Sequence, residues 1–284
     1  MAHHGSVAGR YRISRLPLLL PVLLAVLVTA APAVATVPLD QPAGARTAVT
    51  GVDRPGVNPT AGPLFFAGLD RPHSCSAAVV ASPSRDLVLT AAHCIVGSGV
   101  GAQFVPGYSH DRTPYGVWTA VAAYVDPAWI SDRDPEHDVA ILKLGKQEED
   151  GSQLGVEDVV GGNLLGTEPA DHTGIEVPAY PMGLDDDPTD CRAESHHTGS
   201  YPTFDCPGYP GGTSGAPFLV ALGPPDGRTY EYMVVGVIGG LHQGGCRDDT
   251  SYSSPFGEEV NQLWLRASTG ATPDVVPSPG SSHC

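Results

Sequence analysis

Apolar residues in this chain fall into short runs that are bounded by turns rich in glycine, proline and aspartate. Short runs of this kind, at short spacing, are typical of β-strands in a barrel or a sandwich. The segments predicted as strands are Leu64–Ala67, Ser76–Val80, Leu87–Thr90, Trp118–Val125, Val139–Leu144, Gly199–Phe204, Pro217–Leu222 and Tyr230–Gly236.

One segment near the C-terminus has helical periodicity instead. Val260, Leu263 and Trp264 share a face at i, i+3, i+4 spacing, which predicts a helix over Gly257–Arg266. Long amphipathic segments between the strands are missing, and this argues against a βαβ architecture. The pattern therefore predicts an all-β domain with one C-terminal helix.

The N-terminus has the layout of a secretory signal peptide. Three arginines up to Arg15 precede the apolar run Leu16–Ala30, and Ala33-Val34-Ala35 fits the small-x-small cleavage pattern. The run is short for a membrane span, which needs about 20 residues. We expect residues 1–35 to be removed, so that the protein is secreted and has no membrane contact after cleavage.

Composition divides the rest of the chain into three parts. Residues 36–60 are rich in Pro, Gly, Ala and Thr and are predicted to be a propeptide or linker, with Arg46 and Arg54 as candidate processing points. Residues 61–269 are enough for one globular domain with a substantial core. Residues 270–284 are predicted to be a C-terminal tail.

The chain is acidic, with a formal net charge of −16. The predicted signal peptide holds three arginines and no acidic residue, so its removal shifts the charge to about −19. Lys143 and Lys146 are the only lysines in the sequence. Such a chain would repel phosphates, and nucleic acid is not expected among its partners.

Three short motifs carry residues that are typical of acyl-transfer chemistry. His93 lies in LTAAHC, Asp138 begins DVAILKL, and Ser214 lies in GGTSGAP. A serine hydroxyl is a weak nucleophile at neutral pH and needs a base within hydrogen-bond reach, which a histidine supplies. A carboxylate that enters a buried strand is costly unless it is paired, and a histidine would be its partner.

Each member of this set has an ordinary alternative. Asp132 and Asp134 compete with Asp138, but both lie in the polar loop before the strand, where solvated turn carboxylates are expected. His93 alone would be read as a core or surface histidine, and the glycines around Ser214 alone as a turn. All three motifs together favour a catalytic triad.

The motifs resemble those of a known family. Their order, histidine then aspartate then serine, differs from that of α/β-hydrolases and of subtilisin. Together they resemble the chymotrypsin/trypsin-like serine proteases. The resemblance implies two six-stranded antiparallel β-barrels with a C-terminal helix. It also implies an oxyanion hole formed by the main-chain amides of Gly212 and Ser214.

Two positions depart from the trypsin-like pattern. Thr213 stands where most members have the aspartate that pairs with a newly freed N-terminal amine, and no Ile-Val-Gly-Gly start is present near residue 60. Activation without that salt bridge is therefore predicted. Gly208 stands where trypsin-like enzymes have the aspartate that selects Lys or Arg. With these departures the chain looks most similar to the bacterial V8-like glutamyl endopeptidases.

That similarity implies candidate specificity residues. GLHQGG at 240–245 resembles the pocket-lining strand of the glutamyl endopeptidases, whose histidine contacts the substrate carboxylate. His242 would do likewise, while Gln243, Gly244 and Gly245 would offer main-chain groups to an extended peptide. Tyr209 is expected to narrow the pocket. A loop histidine is the alternative for His242, so a preference for Glu or Asp is a hypothesis.

Six cysteines in an exported chain predict disulfide bonds. The placement of Cys75 and Cys94 resembles the family's bridge beside the catalytic histidine. Cys191 and Cys206 are close in sequence and are expected to close a loop ahead of the serine. Cys246 and Cys284 then remain by elimination, and the pairing among these last four cysteines stays open.

No cofactor and no metal site is predicted, since Cys-x-x-Cys and His-rich ligand spacings are missing. The adjacent His196 and His197 are expected to be surface residues, because neighbouring rings seldom point at one ion. Asp185–Asp187 with Asp190 could hold calcium through carboxylates. An ordinary acidic loop is the preferred interpretation, and no ligand is assigned there.

The sequence thus predicts a monomeric, secreted serine endopeptidase that acts on a protein or peptide substrate through an acyl-enzyme. Two alternatives stay open. A catalytically silent protease-like module would bind another protein, although an intact triad argues against it. An esterase on the same fold would use identical residues.

Overall fold

The computed structural model describes residues 57–182, 187–223 and 232–278. The predicted signal peptide (1–35), most of the predicted linker (36–60) and the end of the predicted tail lie outside the described residues. Within the described part, no helix is long and apolar enough to cross a membrane.

A closed antiparallel barrel forms the first half of the domain. Its strands are β1 (Ala61–Phe65), β2 (Cys75–Val80), β3 (Leu87–Thr90), β4 (Gln103–Phe104), β5 (Trp118–Val125) and β6 (Ala140–Leu144). They pair in the order β1-β2-β3-β6-β5-β4. Val79, Val88, Phe104, Trp118 and Leu142 are buried in its core. The predicted six-stranded barrel is confirmed here.

The second half contains two further sheets and a two-stranded hairpin. The strands are β7 (Gln147–Glu149), β8 (Ser152–Leu154), β9 (Leu164–Leu165), β10 (Gly174–Glu176), β11 (Arg192–Glu194), β12 (His196–Thr198), β13 (Tyr201–Asp205), β14 (Pro217–Ala221), β15 (Tyr232–Val237) and β16 (Thr250–Tyr252). One sheet has the order β11-β10-β14-β15-β9, and the other has the order β12-β13-β16. β7 and β8 form a separate hairpin.

An aromatic core joins these two sheets. The Phe204 ring of β13 contacts Phe218 of β14 and Tyr209 edge to face, with ring centroids 5.1 Å and 5.0 Å apart. The architecture is that of the chymotrypsin-like double barrel, as the sequence motifs imply. Its second barrel is divided between two sheets, whereas a single six-stranded barrel was expected.

The predicted C-terminal helix is confirmed as α3 (Glu258–Thr269), which follows α1 (Pro127–Asp132) and α2 (Val156–Val160). Val260 and Leu263 of α3 are buried, and the Trp264 indole N–H donates to the Ala81 carbonyl at 2.9 Å. α3 ends at Gly270, whose φ of 68° suits a glycine after a helix.

The described part of the predicted tail packs against the first barrel. Val276 is 1% exposed in the barrel core, and its main chain exchanges hydrogen bonds of 2.7 and 2.8 Å with Gly97. Asp274 accepts two hydrogen bonds from Arg266 of α3, at 2.8 and 2.9 Å. It also accepts the Val125 N–H of β5 at 2.9 Å. Arg266 and Asp274 therefore connect this segment to the helix and the barrel.

Candidate active site

His93 lies on a short 3₁₀ turn that directly follows β3. The turn spans Ala92–Cys94, and Ala92 is buried beneath it. Cys94 is bonded to Cys75 of β2, with Cα atoms 6.2 Å apart, so the predicted pairing is confirmed. The disulfide and the buried alanine fix the main chain on both sides of the histidine.

Asp138 is fully buried and directed at His93. Its Oδ1 accepts the His93 main-chain N–H at 2.7 Å, and its Oδ2 lies 2.7 Å from His93 Nδ1. Oδ2 also accepts the Gly240 N–H at 2.9 Å. These hydrogen bonds compensate for the burial of the carboxylate. Because carboxylate oxygens accept, a neutral His93 ring carries its proton on Nδ1 and has its lone pair on Nε2.

Ser254 holds Asp138 from the other side. The Asp138 N–H donates to Ser254 Oγ at 3.0 Å, and this hydroxyl donates to the Pro135 carbonyl at 2.8 Å. The competing aspartates have other partners. Asp134 caps the turn that follows it by accepting the Glu136 N–H at 3.0 Å. Asp132 accepts the Ser131 hydroxyl at 2.7 Å.

Ser214 sits where the second half of the domain meets the first barrel. Its carbonyl accepts the Ser76 N–H of β2 at 2.7 Å and lies 3.9 Å from Cys94 Sγ, beside the histidine turn. Gly215 makes this approach possible. A Cβ on Gly215 would lie 2.1 Å from Thr90 Oγ1 and 2.2 Å from the Ser76 carbonyl oxygen.

The residues before the serine form a tight turn in which two main-chain amides have no acceptor among the described residues. Gly212 has a φ of 97°, and a Cβ there would lie 2.3 Å from the Met182 nitrogen. Across the described ranges, neither the Gly212 N–H nor the Ser214 N–H donates a hydrogen bond to the protein. Both are the donors predicted for the oxyanion hole.

Thr213 completes this turn without a charge. It is 2% exposed, and both its N–H (3.3 Å) and its hydroxyl (2.8 Å) donate to the Pro210 carbonyl. The side chain is therefore satisfied within its own turn, at the position where trypsin-like enzymes use an aspartate and an N-terminal amine.

A cavity of about 330 Å³ lies in the loop that follows β15. It is lined by His242, Cys246, Arg247, Thr250 and Tyr252. The loop borders the segment that leads to the serine, because the Cys206 and Tyr209 N–H groups donate to its Asp249 and Asp248 carbonyls, both at 3.0 Å.

The predicted substrate-binding residues divide into two groups. His242 lines the cavity and is exposed. It lies in the 3₁₀ turn Leu241–Gly244, in which both His242 and Gln243 have positive φ angles. Gly244 and Gly245 shape the loop main chain, since a Cβ on Gly245 would lie 2.5 Å from the Thr250 carbonyl oxygen.

Tyr209 belongs to the core beneath the loop. It is 4% exposed, and its hydroxyl donates to the Val177 carbonyl at 2.5 Å. Burial raises the pKa of this phenol well above its ordinary value. Tyr209 therefore reaches the cavity loop through its main chain, and its predicted contact with substrate stays a prediction.

Arg247 lines the cavity and was not singled out from the sequence. Its Nε and Nη2 bind the Asp249 carboxylate at 2.9 and 2.7 Å. The hydrogen bonds raise the pKa of Arg247 and lower the pKa of Asp249. The position of Arg247 in the same glycine-rich segment as His242 was the available signal.

One pair of neighbouring histidines and one cysteine pair bear on metal binding in the described residues. Cys75 and Cys94 lie near His93, but as a disulfide they offer no thiolate. His196 and His197 face different carboxylates, those of Asp205 at 3.9 Å and Asp171 at 2.6 Å.

The remaining predictions about cysteines and calcium are only partly covered. The Cys191–Cys206 disulfide is confirmed, while Cys284 lies outside the described residues and the third pairing stays a prediction. Asp185 and Asp186 of the acidic loop also lie outside them. Asp187 is 2.9 Å from His110, and burial raises the pKa of Asp190.

Comparisons with known proteins identify the fold. No protein-family model matches the chain, and no curated protein has a matching sequence. Protease Anisep from Arthrobacter nicotinovorans has a similar structure, with a TM-score of 0.60 and 23% identity over 75% of this chain and 97% of that one. A thermostable serine protease, AL20, from an extremophilic microorganism has a TM-score of 0.61 and 24% identity over 75% of this chain and 98% of that one. A Glu endopeptidase has a TM-score of 0.53 and 17% identity over 73% of this chain and 91% of that one.

Proposed function

We propose that this chain is a secreted serine endopeptidase that uses Ser214 as nucleophile, His93 as base and Asp138 as the group that orients the base. The observation that carries the proposal is the pair of 2.7 Å contacts between Asp138 and His93. They fix the imidazole in the tautomer whose Nε2 can accept the serine proton. The proteases that have similar structures support the same chemistry.

The first half of the reaction forms an acyl-enzyme. Ser214 Oγ attacks the peptide carbonyl carbon as its proton passes to His93 Nε2, and the carbonyl oxygen becomes an oxyanion. The Gly212 and Ser214 N–H groups stabilise that charge. His93 then gives the proton to the leaving nitrogen, the C–N bond breaks, and the amine product departs.

The second half hydrolyses the ester. Water attacks the acyl carbon while His93 takes one of its protons. A second oxyanion forms and is stabilised by the same two amides. His93 then protonates Ser214 Oγ as the C–O bond breaks. The balance is one water consumed per peptide bond cleaved, and the enzyme is regenerated.

Preference for Glu or Asp at the cleavage site is the finer part of the proposal. His242 and Arg247 both line the cavity of about 330 Å³, so an acidic side chain would meet two nitrogen donors there. The Asp249 carboxylate is bound to the Arg247 guanidinium and partly neutralises its positive charge. The Glu endopeptidase among the similar structures supports this reading.

A phosphonate probe and casein distinguish the candidate functions. A fluorophosphonate should label the wild-type protein and not Ser214→Ala, whereas a silent binding module should not be labelled at all. Casein digestion then separates a protease from an esterase, because only the protease releases peptides. Labelling without casein cleavage, together with hydrolysis of simple esters, would replace the endopeptidase proposal by the esterase.

Secretion has its own experiment. The protein should be recovered from the medium of an expressing bacterium, and N-terminal sequencing of the first processed form should begin at Thr36. Retention of an intact Arg10–Ala35 segment in the exported protein would contradict the predicted cleavage.

A further inference from the structure

The hydroxyl of Ser76 is a buried contact between the first barrel and the turn that precedes Ser214. Ser76 lies on β2 and is fully buried. Its Oγ donates to the Gly212 carbonyl at 3.0 Å and accepts the Tyr180 N–H at 3.0 Å. Its main-chain N–H separately donates to the Ser214 carbonyl at 2.7 Å.

The segment held by Ser76 also binds the turn. Two residues after Tyr180, the Met182 N–H donates to the Gly211 carbonyl at 2.8 Å. Ser76 Oγ therefore contacts the turn directly at Gly212 and, through Tyr180, supports the segment that contacts it at Gly211.

These two carbonyls control where the Gly212 N–H points. A peptide bond is planar and trans, so its N–H points away from its C=O. The bond from Met182 to the Gly211 carbonyl thus directs the Gly212 N–H to the opposite side. The bond from Ser76 fixes the following peptide. Glycine has the most freedom to rotate between two peptides, and both are restrained here.

We propose that Ser76 is a positioning residue whose hydroxyl holds the Gly212 amide in its oxyanion-binding orientation. Thr213 carries no charge to organise this turn, and the hydrogen bond from Ser76 supplies an anchor from the barrel that needs no freed N-terminal amine. The inference rests on the proposed function, because an oxyanion must form for this amide to matter.

Fluorophosphonate labelling of the full chain tests the inference without knowledge of the substrate. In Ser76→Ala the maximal labelling rate should fall about 10- to 100-fold, since loss of an oxyanion donor costs about 10²–10³ and a misplaced donor retains part of its effect. The probe concentration for half-maximal rate should change little. Ser76→Thr keeps a hydroxyl and should recover part of the rate.

Ser195→Ala is the matched control. Ser195 is 1% exposed, and its hydroxyl donates to the Ala170 carbonyl at 2.9 Å and not to the turn before Ser214. It should lose stability without losing labelling rate. In addition, the ³¹P resonance of phosphonylated Ser214 should shift in Ser76→Ala and stay in place in Ser195→Ala.

The outcomes separate the two proposals. Absence of labelling in the wild type overturns the proposed function. A labelled wild type with an equally fast, folded Ser76→Ala overturns the role of Ser76. If Ser76→Ala does not fold, Ser76→Cys takes its place, because its thiol is a much weaker hydrogen-bond donor than a hydroxyl. A folded Ser76→Cys that is slowly labelled supports the role of the hydroxyl, and a wild-type rate overturns it.

Discussion

Asp138 binds His93 twice, once through the main chain and once through the ring. The Oδ1 bond to the His93 N–H and the Oδ2 contact with Nδ1 are both 2.7 Å long, and the carboxylate is fully buried. One side chain therefore sets both the position of the 3₁₀ turn and the rotation of the imidazole.

Replacing Asp138 by asparagine tests this relationship. The amide group can donate to Nδ1 and so favour the tautomer that lacks a lone pair on Nε2, and we expect turnover to fall about 10⁴-fold. The measurement is hydrolysis of a small activated ester. Asp134→Asn is the control, since the Asp134 side chain is 42% exposed and asparagine also caps turns; a comparable loss there would contradict the assignment of Asp138.

We expect the Thr213 hydroxyl to stabilise its turn, and we expect that no charged side chain is required at this position. Thr213→Val removes the hydroxyl that donates to Pro210 and should lower the free energy of unfolding by about 1 kcal/mol, measured by chemical denaturation. Thr213→Asp places an unpaired carboxylate in a buried turn and should be less stable and less active. A rise in activity in Thr213→Asp that requires the N-terminal amine would show that the turn does depend on a salt bridge.

The acidic-substrate hypothesis gives opposite expectations for two neighbouring variants. His242→Ala should lower kcat/KM for peptides with Glu at the cleavage site by about 10-fold, the effect of one charge-assisted hydrogen bond. Asp249→Asn should raise it, because Arg247 loses its partner. Profiles on a peptide library give the measurement. Arg192→Ala, an exposed arginine that pairs with Glu176, should leave the profile as in the wild type, and an unchanged profile in His242→Ala would remove this histidine from specificity.

The C-terminal segment should stabilise the first barrel. Val276→Ala should cost about 2 kcal/mol because it removes two buried methyl groups and leaves a cavity. Val275, which is 67% exposed, offers the control Val275→Ala with little expected change. Thermal unfolding compares the two, and equal stabilities would mean that the segment does not support the barrel.

The Cys75–Cys94 disulfide should also contribute to stability. The bridge closes a loop with a sequence separation of 19 residues, and chain-entropy arguments give about 3 kcal/mol for such a loop. In the double variant Cys75→Ala/Cys94→Ala the free energy of unfolding should be lower by about this amount, so that it unfolds at a lower denaturant concentration. An unchanged midpoint would indicate that the surrounding strands alone hold the histidine turn.

The barrel strands and the triad motifs could be predicted because their signals are local. β3 and β5 lie where their apolar runs predicted them, and His93 and Asp138 each stand at the end or start of such a run. Strands of two or three residues, such as β4 and β9, are too short to leave a pattern. The division of the second barrel into two sheets depends on which strands pair with one another, and a local pattern of apolar residues does not specify that pairing.

The residues that support the turn before Ser214 could not be predicted from the sequence. Ser76 and Gly212 are 136 residues apart, and no local pattern marks a serine that will face a distant carbonyl. The place of the Tyr209 side chain is a similar case. Tyr209 is expected to narrow the substrate pocket, and its ring packs edge to face against Phe204 in the aromatic core, so its contact with substrate stays a prediction.

The acyl-enzyme itself gives the most direct measurement of the central claim. The protein would be mixed with p-nitrophenyl acetate, quenched in acid at short times, digested and analysed by mass spectrometry. We expect one acetyl group on the peptide that contains Ser214, formed with a burst of p-nitrophenol, and almost none in Asp138→Asn. Acetylation at other residues only, or no acetylated peptide in the wild type, would contradict the account.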